Sequence, residues 1–403
     1  MKLLNQLSRI TTSGRVFIPQ IDGLRFIAIV AVIAFHVRAI CSYHFRASPA
    51  GRTIEGDLVN DVFGAGHLGV LLFFAISGFI LSLPFARQYL CQGKRISLRE
   101  YYVRRVTRIQ PPYVIHLAFL LVLCCLVLRW QPSHSHLYHN PAWAGYALKH
   151  ILSSLFYVNG LIFAAHPYPN IVLWALEIEI QFYILAPLLA GIFMIADTWK
   201  RRTLIVISIL AGYLILFLVG PLVRFSDANS YRISWSLIGY YQYFLIGFLM
   251  ADFYLLNKLE SPIRNYKWDL IFPLAITAVV LLRHHSLLAI LLPWMILLCC
   301  LAAFRGVLTA KFLGHPWITT IGGMCYTIYM YHWLMICTLV RVTGRLRTQI
   351  LWLDLLIQFV LMSVIIIAGC AVLFALFERP FMRRDWPARI WMKIRPAGKA
   401  DAS

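Results

Sequence analysis

Apolar stretches long enough to cross a bilayer recur along the chain, and this feature restricts its fold more strongly than any other. A helix needs about 20 consecutive apolar residues to cross the hydrocarbon core, and runs of that length are typical of transmembrane helices. Of the 403 residues, 61% are hydrophobic and only 13% are charged, a balance that a soluble domain does not show. The sequence therefore predicts an all-α fold, a polytopic transmembrane helix bundle.

The hydropathy pattern predicts about ten spans. They cover residues 24–40, 68–86, 113–129, 172–195, 203–222, 235–255, 269–282, 286–303, 318–340 and 351–377. The first twenty residues are too polar for the hydrophobic part of a cleavable signal peptide, so the first span is expected to be retained. Residues 146–165 are also apolar but carry Lys149, His150 and Asn159, and we place this segment on, or partly in, the outer face of the membrane.

The distribution of basic residues predicts the orientation of the bundle. With the N- and C-termini both cytoplasmic, most of the 37 Lys and Arg residues fall on the cytoplasmic side, as the positive-inside rule requires. An extra span at residues 146–165 would move Lys200, Arg201 and Arg202 outside and reverse every later loop. The net charge of +21 then indicates loops that face anionic lipid of the bilayer or an anionic substrate, with no nucleic acid as partner.

The chain is expected to form one membrane domain over residues 1–385 and a short basic cytoplasmic tail over residues 386–403, without an appended soluble domain. Its expected location is the cell's inner (plasma) membrane. The nine cysteines show no CxxC or metal-ligand spacing, so neither a disulfide nor a metal site is predicted. The loop PSHSHLYHNP offers possible metal ligands, but without Cys or nearby carboxylates a polar loop is the simpler interpretation of His134, His136 and His139.

Arg25 and His36 frame an otherwise uncharged apolar run in IDGLRFIAIVAVIAFHV. Eleven residues are close to three helical turns, so both side chains fall on one face, about 16 Å apart along the axis. Ionisable groups inside spans are costly and indicate function by default. The pair predicts a line of polar groups that runs into the membrane.

A cluster of basic residues follows the second predicted span: Arg87, Lys94, Arg95, Arg99, Arg104, Arg105 and Arg108. Positive-inside topology is a sufficient explanation for the first four. Arg105 and Arg108 are three residues apart and share a helical face, and Pro111 and Pro112 are expected to fix where the next span enters. Guanidinium groups bind phosphate oxygens through two donors, so Arg104, Arg105 and Arg108 predict a cytoplasmic phosphorylated ligand.

Two acidic residues lie within the fourth predicted span, in NIVLWALEIEIQFYILAP. Glu177 and Glu179 are two residues apart and point to different faces of a helix, so only one can easily line the same cavity as His36. A structural salt bridge is the alternative to a functional role. We favour function for Glu179 and leave Glu177 open.

These segments together resemble the acyltransferase 3 family. The resemblance is carried by Arg25 with ten residues before His36, and then in order by GVLLFFAISGF, RRVTR with IQPPY, WALEIEIQFY, CYTIYMYHW and FERP. The family contains integral membrane acyltransferases, among them bacterial O-antigen acetylases that act on lipopolysaccharide. The resemblance implies transfer of an acyl group, often acetyl, from cytoplasmic acyl-CoA (acetyl-CoA) to a hydroxyl of a carbohydrate or glycolipid such as an exopolysaccharide, with no permanently bound cofactor.

The family motifs fall on particular residues of this chain. The Arg/Lys-X10-His pattern falls on Arg25 and His36, the Arg-X-X-Arg pattern on Arg105 and Arg108, and the glutamate of the WSLSVEEQFY-like segment on Glu179. The chain departs from the family in three places. Leu71 stands where Asp is common, Glu177 where Ser is frequent, and Ile180 where a second Glu is frequent, which affects substrate details more than the reaction class.

The mechanism that we expect places the CoA phosphates at the cytoplasmic arginines, Arg104 included, and the catalytic pair His36 and Glu179 in the outer half of the membrane. His36 would take the proton of the acceptor hydroxyl, and Glu179 would orient His36 or stabilise its cation. A covalent acyl intermediate on His36 or a serine remains an alternative. Ser77 is a candidate for that serine only because of its residue type. Packing between helices through small residues is the favoured role of Ser77 and Gly78.

Further polar and aromatic residues are candidates for the lining of the active cavity: Ser77, Trp174, Tyr183, Tyr326 and His332. Glu378 and Arg379 before Pro380 are interpreted as the end of the last span. A transporter that uses intramembrane His and Glu for proton or solute coupling is the alternative function, although no internal repeat supports it.

Overall fold

The computed structural model describes residues 7, 9, 17–46, 58–130, 141–223, 227–282, 286–346, 348, 350–383, 385 and 386. The histidine-rich loop with His134, His136 and His139 lies outside these residues, as does nearly all of the predicted tail at 386–403. The metal and tail predictions for these segments therefore stay predictions.

Helices account for nearly all of the described chain, and no β-strand is found within it. The first eight are α1 (Pro19–Arg46), α2 (Leu58–Gly64), α3 (Gly69–Leu90), α4 (Leu98–Trp130), α5 (Pro141–Leu155), α6 (Asn159–Phe163), α7 (Leu173–Leu189) and α8 (Thr198–Val223). The others are α9 (Asp227–Ser234), α10 (Leu237–Leu256), α11 (Lys267–Leu282), α12 (Leu292–Arg305), α13 (Leu308–Leu313), α14 (Pro316–Gly323), α15 (Cys325–Thr343) and α16 (Leu351–Leu373). Short 3-10 turns occupy Ala65–Leu68, Ala190–Met194, Ser286–Leu291 and Arg379–Met382, and a π-helix covers Phe374–Glu378.

The all-α membrane bundle is confirmed, with fewer spans than the sequence predicted. Eight helical stretches in the described part are long and apolar enough to cross a membrane, or nine if the bent pair α14 and α15 forms one span. Each of the ten predicted spans falls on helix. The predicted span at 269–282 is α11, which has 16 residues and is short for a crossing of about 20.

The predicted span at 318–340 is broken into α14 and α15, which meet at 70°. The cause lies in the packing of α14 against α1. A Cβ atom on Gly322 would collide with the carbonyl oxygen of Asp22, so only glycine permits this close approach. The bend lets the first residues of α15, Cys325 and Tyr326, line an internal cavity.

Pro111 and Pro112 lie inside α4, which begins at Leu98. Proline has no N–H, and Pro111 therefore leaves the carbonyl of Thr107, four residues earlier, without its helical donor. The indole Nε1 of Trp386 donates to that carbonyl at 3.1 Å. The compensation keeps α4 continuous, so the arginines of RRVTR stand on the same helix that crosses the membrane.

The bundle has a buried centre and a lipid-facing periphery. The span that contains α3 is 72% buried and that of α10 is 61% buried, whereas the spans of α8 and α16 are each 22% buried. α3 and α10 touch through their backbones, because Cβ atoms on Gly78 and Gly247 would meet main-chain atoms of the opposite helix. The small-residue packing predicted for Gly78 is therefore found.

Residues 146–165 form two short helices, α5 with 15 residues and α6 with five, which are too short to span. They pack against α7 through Glu177. Its carboxylate accepts bonds from Ser154 Oγ at 3.0 Å and from the Gly160 N–H at 3.1 Å. Glu177 thus has a structural role, because its hydrogen bonds hold this segment in place. It has no basic partner among the described residues.

A buried ion pair joins α8 to α10. Asp252 accepts from Arg201 Nε and Arg202 Nε, each at 2.6 Å, and the side chains of Asp252 and Arg201 are fully buried. Arg201 also donates to the carbonyl of Ile195 at 2.6 Å. These arginines, which the sequence explained by topology alone, therefore also fix two helices to each other.

Replacing Asp252 with alanine is expected to lower the free energy of unfolding by about 3–5 kcal/mol, because Arg201 would remain buried without its carboxylate. Thermal unfolding in detergent measures the change. The matched control is Glu260→Ala, since Glu260 pairs with Arg87 at the surface and its side chain is 51% exposed. Such exposed pairs contribute about 0–1 kcal/mol. Equal unfolding temperatures for the two variants would contradict the structural role of Asp252.

Candidate active site

A cavity of about 110 Å³ lies between α1, α3, α4, α7 and α15, and we call it the arginine cavity. Three of the predicted cationic residues, Arg25, Arg105 and Arg108, come together in its wall. Its polar and aromatic lining also includes Arg9, Ser77, Glu179, Tyr183, Cys325, Tyr326, Tyr329 and Glu378. Ser77, Tyr183 and Tyr326 therefore lie in the wall of a cavity, as the sequence predicted.

The four arginines of this cavity differ in their partners. Arg25 and Arg9 both donate to Asp22 Oδ1, at 2.6 and 3.3 Å. Arg105 and Arg108 form no ion pair with a described residue, and the Arg105 guanidinium lies 5.6 Å from the ring centroids of Tyr101 and Tyr183. Arg105 and Arg108 therefore keep positive charge available for an anion.

Arg104 does not join this group, in contrast to the prediction. It is exposed at the surface of α4, where its Nε donates to the Glu100 carbonyl at 3.0 Å and its Nη2 lies 3.7 Å from the Glu100 carboxylate. Of the three arginines in RRVTR, only Arg105 and Arg108 are among the described residues that line the cavity.

Glu179 lies in the arginine cavity, away from the predicted position beside His36. Its Oε1 accepts from Tyr183 Oη at 2.6 Å and from Ser77 Oγ. Ser77 is thus held by a hydrogen bond. Packing between helices was favoured for both Ser77 and Gly78, and Gly78 makes that packing. The carboxylate fixes Tyr183, whose ring in turn stacks on Arg105.

Glu378 is a cavity residue that the sequence assigned only to the end of a span. It sits at the end of the π-helix that follows α16, and its carboxylate accepts from the backbone N–H of Thr327 at 3.1 Å and from the Thr327 hydroxyl. π-Helical turns often occur at functional sites. Nothing in the spacing of FERP indicates this turn.

A second and larger cavity, about 1400 Å³, is lined by His36, and we call it the histidine cavity. Trp174 lines it, which agrees with its prediction as a cavity residue. Its other polar and aromatic lining includes Phe35, Arg38, His67, His166, Tyr213, Trp235, Tyr240, Gln242, Tyr243, Tyr329 and Trp333. The contributing helices are chiefly α1, α8, α10 and α15.

The hydrogen bonds of His36 determine which ring nitrogen is basic. His36 Nδ1 lies 3.0 Å from the Val32 carbonyl, which can only accept, so Nδ1 carries the hydrogen. His332 Nδ1 likewise faces the carbonyls of Ile328 and Tyr329, at 3.0 and 2.8 Å, which leaves a lone pair on His332 Nε2. That lone pair lies 3.3 Å from His36 Nδ1. In this arrangement His36 Nε2 is unprotonated and available as a base.

His332 was predicted to line the cavity, but it lies behind His36. It is fully buried and is not among the described residues that line either cavity. Its Nδ1 is held by carbonyls of its own helix, which directs Nε2 toward α1. The residue is placed to orient His36.

The two cavities share a wall. Val70 on α3 and Tyr329 on α15 line both of them, and both side chains are buried. On α1, Arg25 borders one cavity and His36 the other, at the axial separation of about 16 Å that eleven helical residues give. The line of polar groups expected from the sequence is therefore two chambers in series. Within the described residues, no cluster of His, Cys, Asp or Glu is arranged to hold a metal ion.

Comparison with known sequences identifies the family of the chain. The profile of acyltransferase 3, described as an acyltransferase domain, matches residues 18–375. The chain belongs to the acyltransferase 3 family. No solved structure gives a significant match.

Several bacterial enzymes are similar to the chain. O-acetyltransferase OatA of Staphylococcus aureus is 25% identical over 348 residues, which cover 79% of this chain and 51% of that protein. The peptidoglycan O-acetyltransferase OatA of Listeria monocytogenes is 23% identical over 356 residues, 82% of this chain and 51% of the relative. A putative O-acetyltransferase of Staphylococcus aureus is 24% identical over 407 residues, 93% of this chain and 59% of the relative. The chain spans about half the length of the two OatA proteins.

Proposed function

We propose that this protein is an O-acyltransferase of the plasma membrane. It moves an acyl group, most simply acetyl, from cytoplasmic acyl-CoA to a hydroxyl of a carbohydrate or glycolipid at the outer face. The observation that carries the proposal is the pair of adjoining chambers, one cationic and one with an available imidazole base. The names of the relatives support acetyl as the group and a cell-wall glycan as the class of acceptor.

The arginine cavity suits the donor. CoA carries phosphate groups, and Arg105 and Arg108 line the cavity with guanidinium groups that form no ion pair with a described residue. The positive-inside orientation puts this cavity on the cytoplasmic side, where acyl-CoA is found. Glu179 acts here through Tyr183, by keeping the Arg105 stack in place, and so becomes a positioning residue for the donor.

The histidine cavity suits the chemistry. In the proposed reaction, His36 Nε2 takes the proton of the acceptor hydroxyl as its oxygen attacks the thioester carbonyl. The carbon–sulfur bond then breaks, and the CoA thiolate recovers the proton from His36. His36 Nδ1–H is shared between the Val32 carbonyl and His332 Nε2, and these two acceptors stabilise the imidazolium formed in between.

The shared wall at Val70 and Tyr329 is the route by which the thioester reaches His36. Replacing Val70 with tryptophan is expected to lower kcat at least tenfold, because the bulky side chain fills the passage, and to change the affinity for acetyl-CoA much less, because the arginines that hold its phosphates are retained. Turnover and acetyl-CoA binding are measured on the same purified protein. Val122→Trp is the control, since Val122 is 57% exposed on the outer surface of α4. Normal turnover in the Val70 variant would place the route elsewhere.

The proposed function is tested with membranes that contain or lack the protein. Those with the protein should consume labelled acetyl-CoA and form acetyl esters that mild base removes. Uptake or release of solute without any dependence on acyl-CoA would instead support the transporter alternative and contradict the proposal.

A further inference from the structure

Gln242, in the lining of the histidine cavity, carries an amide oxygen without a hydrogen-bond partner. It lies on α10, is 2% exposed and belongs to the lining of this cavity. Its Nε2 donates to the Gly239 carbonyl at 2.7 Å, which fixes the amide. Its Oε1 is buried and has no hydrogen-bond partner. Because a buried carbonyl without a donor is destabilising, this oxygen is ready to accept from a hydroxyl that enters the cavity.

Aromatic rings surround the same part of the cavity. The ring centroids of Trp174 and Trp235 are 4.8 Å apart and nearly perpendicular, and those of Trp174 and Tyr240 are 5.3 Å apart. His166 contacts Trp235 with ring centroids 4.6 Å apart. All four residues line the cavity, and we call them the aromatic wall. They come from three segments, so the wall is formed only by the folded bundle.

This combination of groups fits a pyranose ring. The C–H groups of a sugar ring form an apolar face that packs on aromatic surfaces, while its hydroxyls require hydrogen-bond partners. A hydrocarbon ligand would leave Gln242 Oε1 unsatisfied. A ligand rich in carboxylate or phosphate would offer that oxygen no donor. A neutral sugar satisfies both the rings and the amide.

We propose that Gln242 and the aromatic wall form the subsite that holds a sugar ring of the acceptor. The ring packs against Trp174, Trp235 and Tyr240, and one of its hydroxyls donates to Gln242 Oε1. The inference rests on the proposed function, because it assigns to that reaction its acceptor site. It also accounts for selectivity among hydroxyls, since the acylated one is the hydroxyl that reaches His36 while another is held by Gln242.

The subsite is tested by sugar binding to the full chain in lipid nanodiscs. Chitotetraose and maltotetraose are the probes, and saturation-transfer NMR and tryptophan fluorescence report binding. Gln242→Leu is expected to weaken binding of the better probe roughly three- to tenfold, as the loss of one hydrogen bond does. Trp235→Ala is expected to weaken it about tenfold or more, because a stacking surface is lost.

Gln358→Leu is the matched control. Gln358 on α16 is also buried, donates through Nε2 to the Thr343 carbonyl at 2.8 Å, and has an unpartnered Oε1, but it is not among the residues that line the histidine cavity. This variant should bind sugar as the wild type does. Acetyl-CoA affinity, measured on every variant, should stay unchanged and shows that the bundle is folded.

The outcomes separate the subsite from the reaction. Wild-type protein that binds neither probe, or binding that is equal in the Gln242 and Gln358 variants, overturns the subsite, and acetyl transfer by the same samples would leave the proposed function standing. Selective loss of binding in the Gln242 and Trp235 variants supports the subsite. Sugar binding of that kind without any acetyl-CoA turnover would contradict the proposed reaction alone.

Discussion

Replacing His36 with alanine is expected to reduce acyl transfer by about two to four orders of magnitude, the usual contribution of a positioned general base. The base is lost, whereas the arginine cavity is untouched, so acetyl-CoA should still bind with wild-type affinity. The measurement is the rate of acetyl ester formation beside the dissociation constant for acetyl-CoA. A large fall in the first with no change in the second is the predicted result.

The control for this variant is His315→Ala. His315 is exposed at the start of α14, and removal of its imidazole should leave the rate unchanged. The rate of His332→Ala should lie between those of the two variants, because the substitution removes one of the two acceptors of His36 Nδ1–H, leaves the Val32 carbonyl and keeps the base itself. If the His36 variant turned over at a normal rate, the assignment of the base would be wrong.

Replacing Arg108 with alanine is expected to raise the KM for acetyl-CoA about ten- to hundredfold, because a hydrogen bond to a charged group contributes about 1.5–3 kcal/mol. Arg108 and Glu378 line the same cavity without forming an ion pair, so the Arg108 guanidinium can still donate to a phosphate. The effect should appear in KM much more than in kcat. Arg105→Ala should behave in the same way.

Arg104→Ala is the control on the same helix, since Arg104 is exposed and bonded to Glu100. A second comparison uses S-acetylpantetheine, a donor without phosphate groups. With that donor, the Arg108 variant and the wild type should show equal KM values. If the KM of the Arg108 variant were also raised with S-acetylpantetheine, Arg108 would act on a part of the donor other than the phosphates.

The sequence predicted the parts of this molecule that depend on local pattern. Apolar run length predicted the helices, and the spacing of Arg25 with His36, and of Arg105 with Arg108, predicted which side chains share a face. Those relations are fixed by the helix itself. The bend between α14 and α15 was missed because it depends on Gly322 meeting the backbone of α1, a contact between distant segments.

The grouping of residues into sites was predicted less well. Glu179 and His36 were grouped because both lie at a similar predicted depth in the membrane. The packing of the helices decides which cavity a side chain enters, and Glu179 faces Ser77 and the arginines. His332 was recognised as a polar residue near the site, yet its position behind His36 follows from hydrogen bonds to its own helix. No feature of the sequence indicated that Glu378 or Gln242 belongs to a site, since neither spacing nor composition reveals a π-helical turn or an unpaired amide oxygen.

The most direct test of the account is the sidedness of transfer, because its central claim is that donor and acceptor occupy chambers in series across the membrane. Inside-out and right-side-out vesicles from cells that produce the protein retain their native acceptors and differ only in the face presented to added, membrane-impermeant labelled acetyl-CoA. The account predicts base-labile acetyl esters in inside-out vesicles, where the arginine cavity is accessible, none in right-side-out vesicles, and none in either with His36→Ala. Equal labelling of both kinds of vesicle, or labelling that survives the His36 substitution, would contradict it.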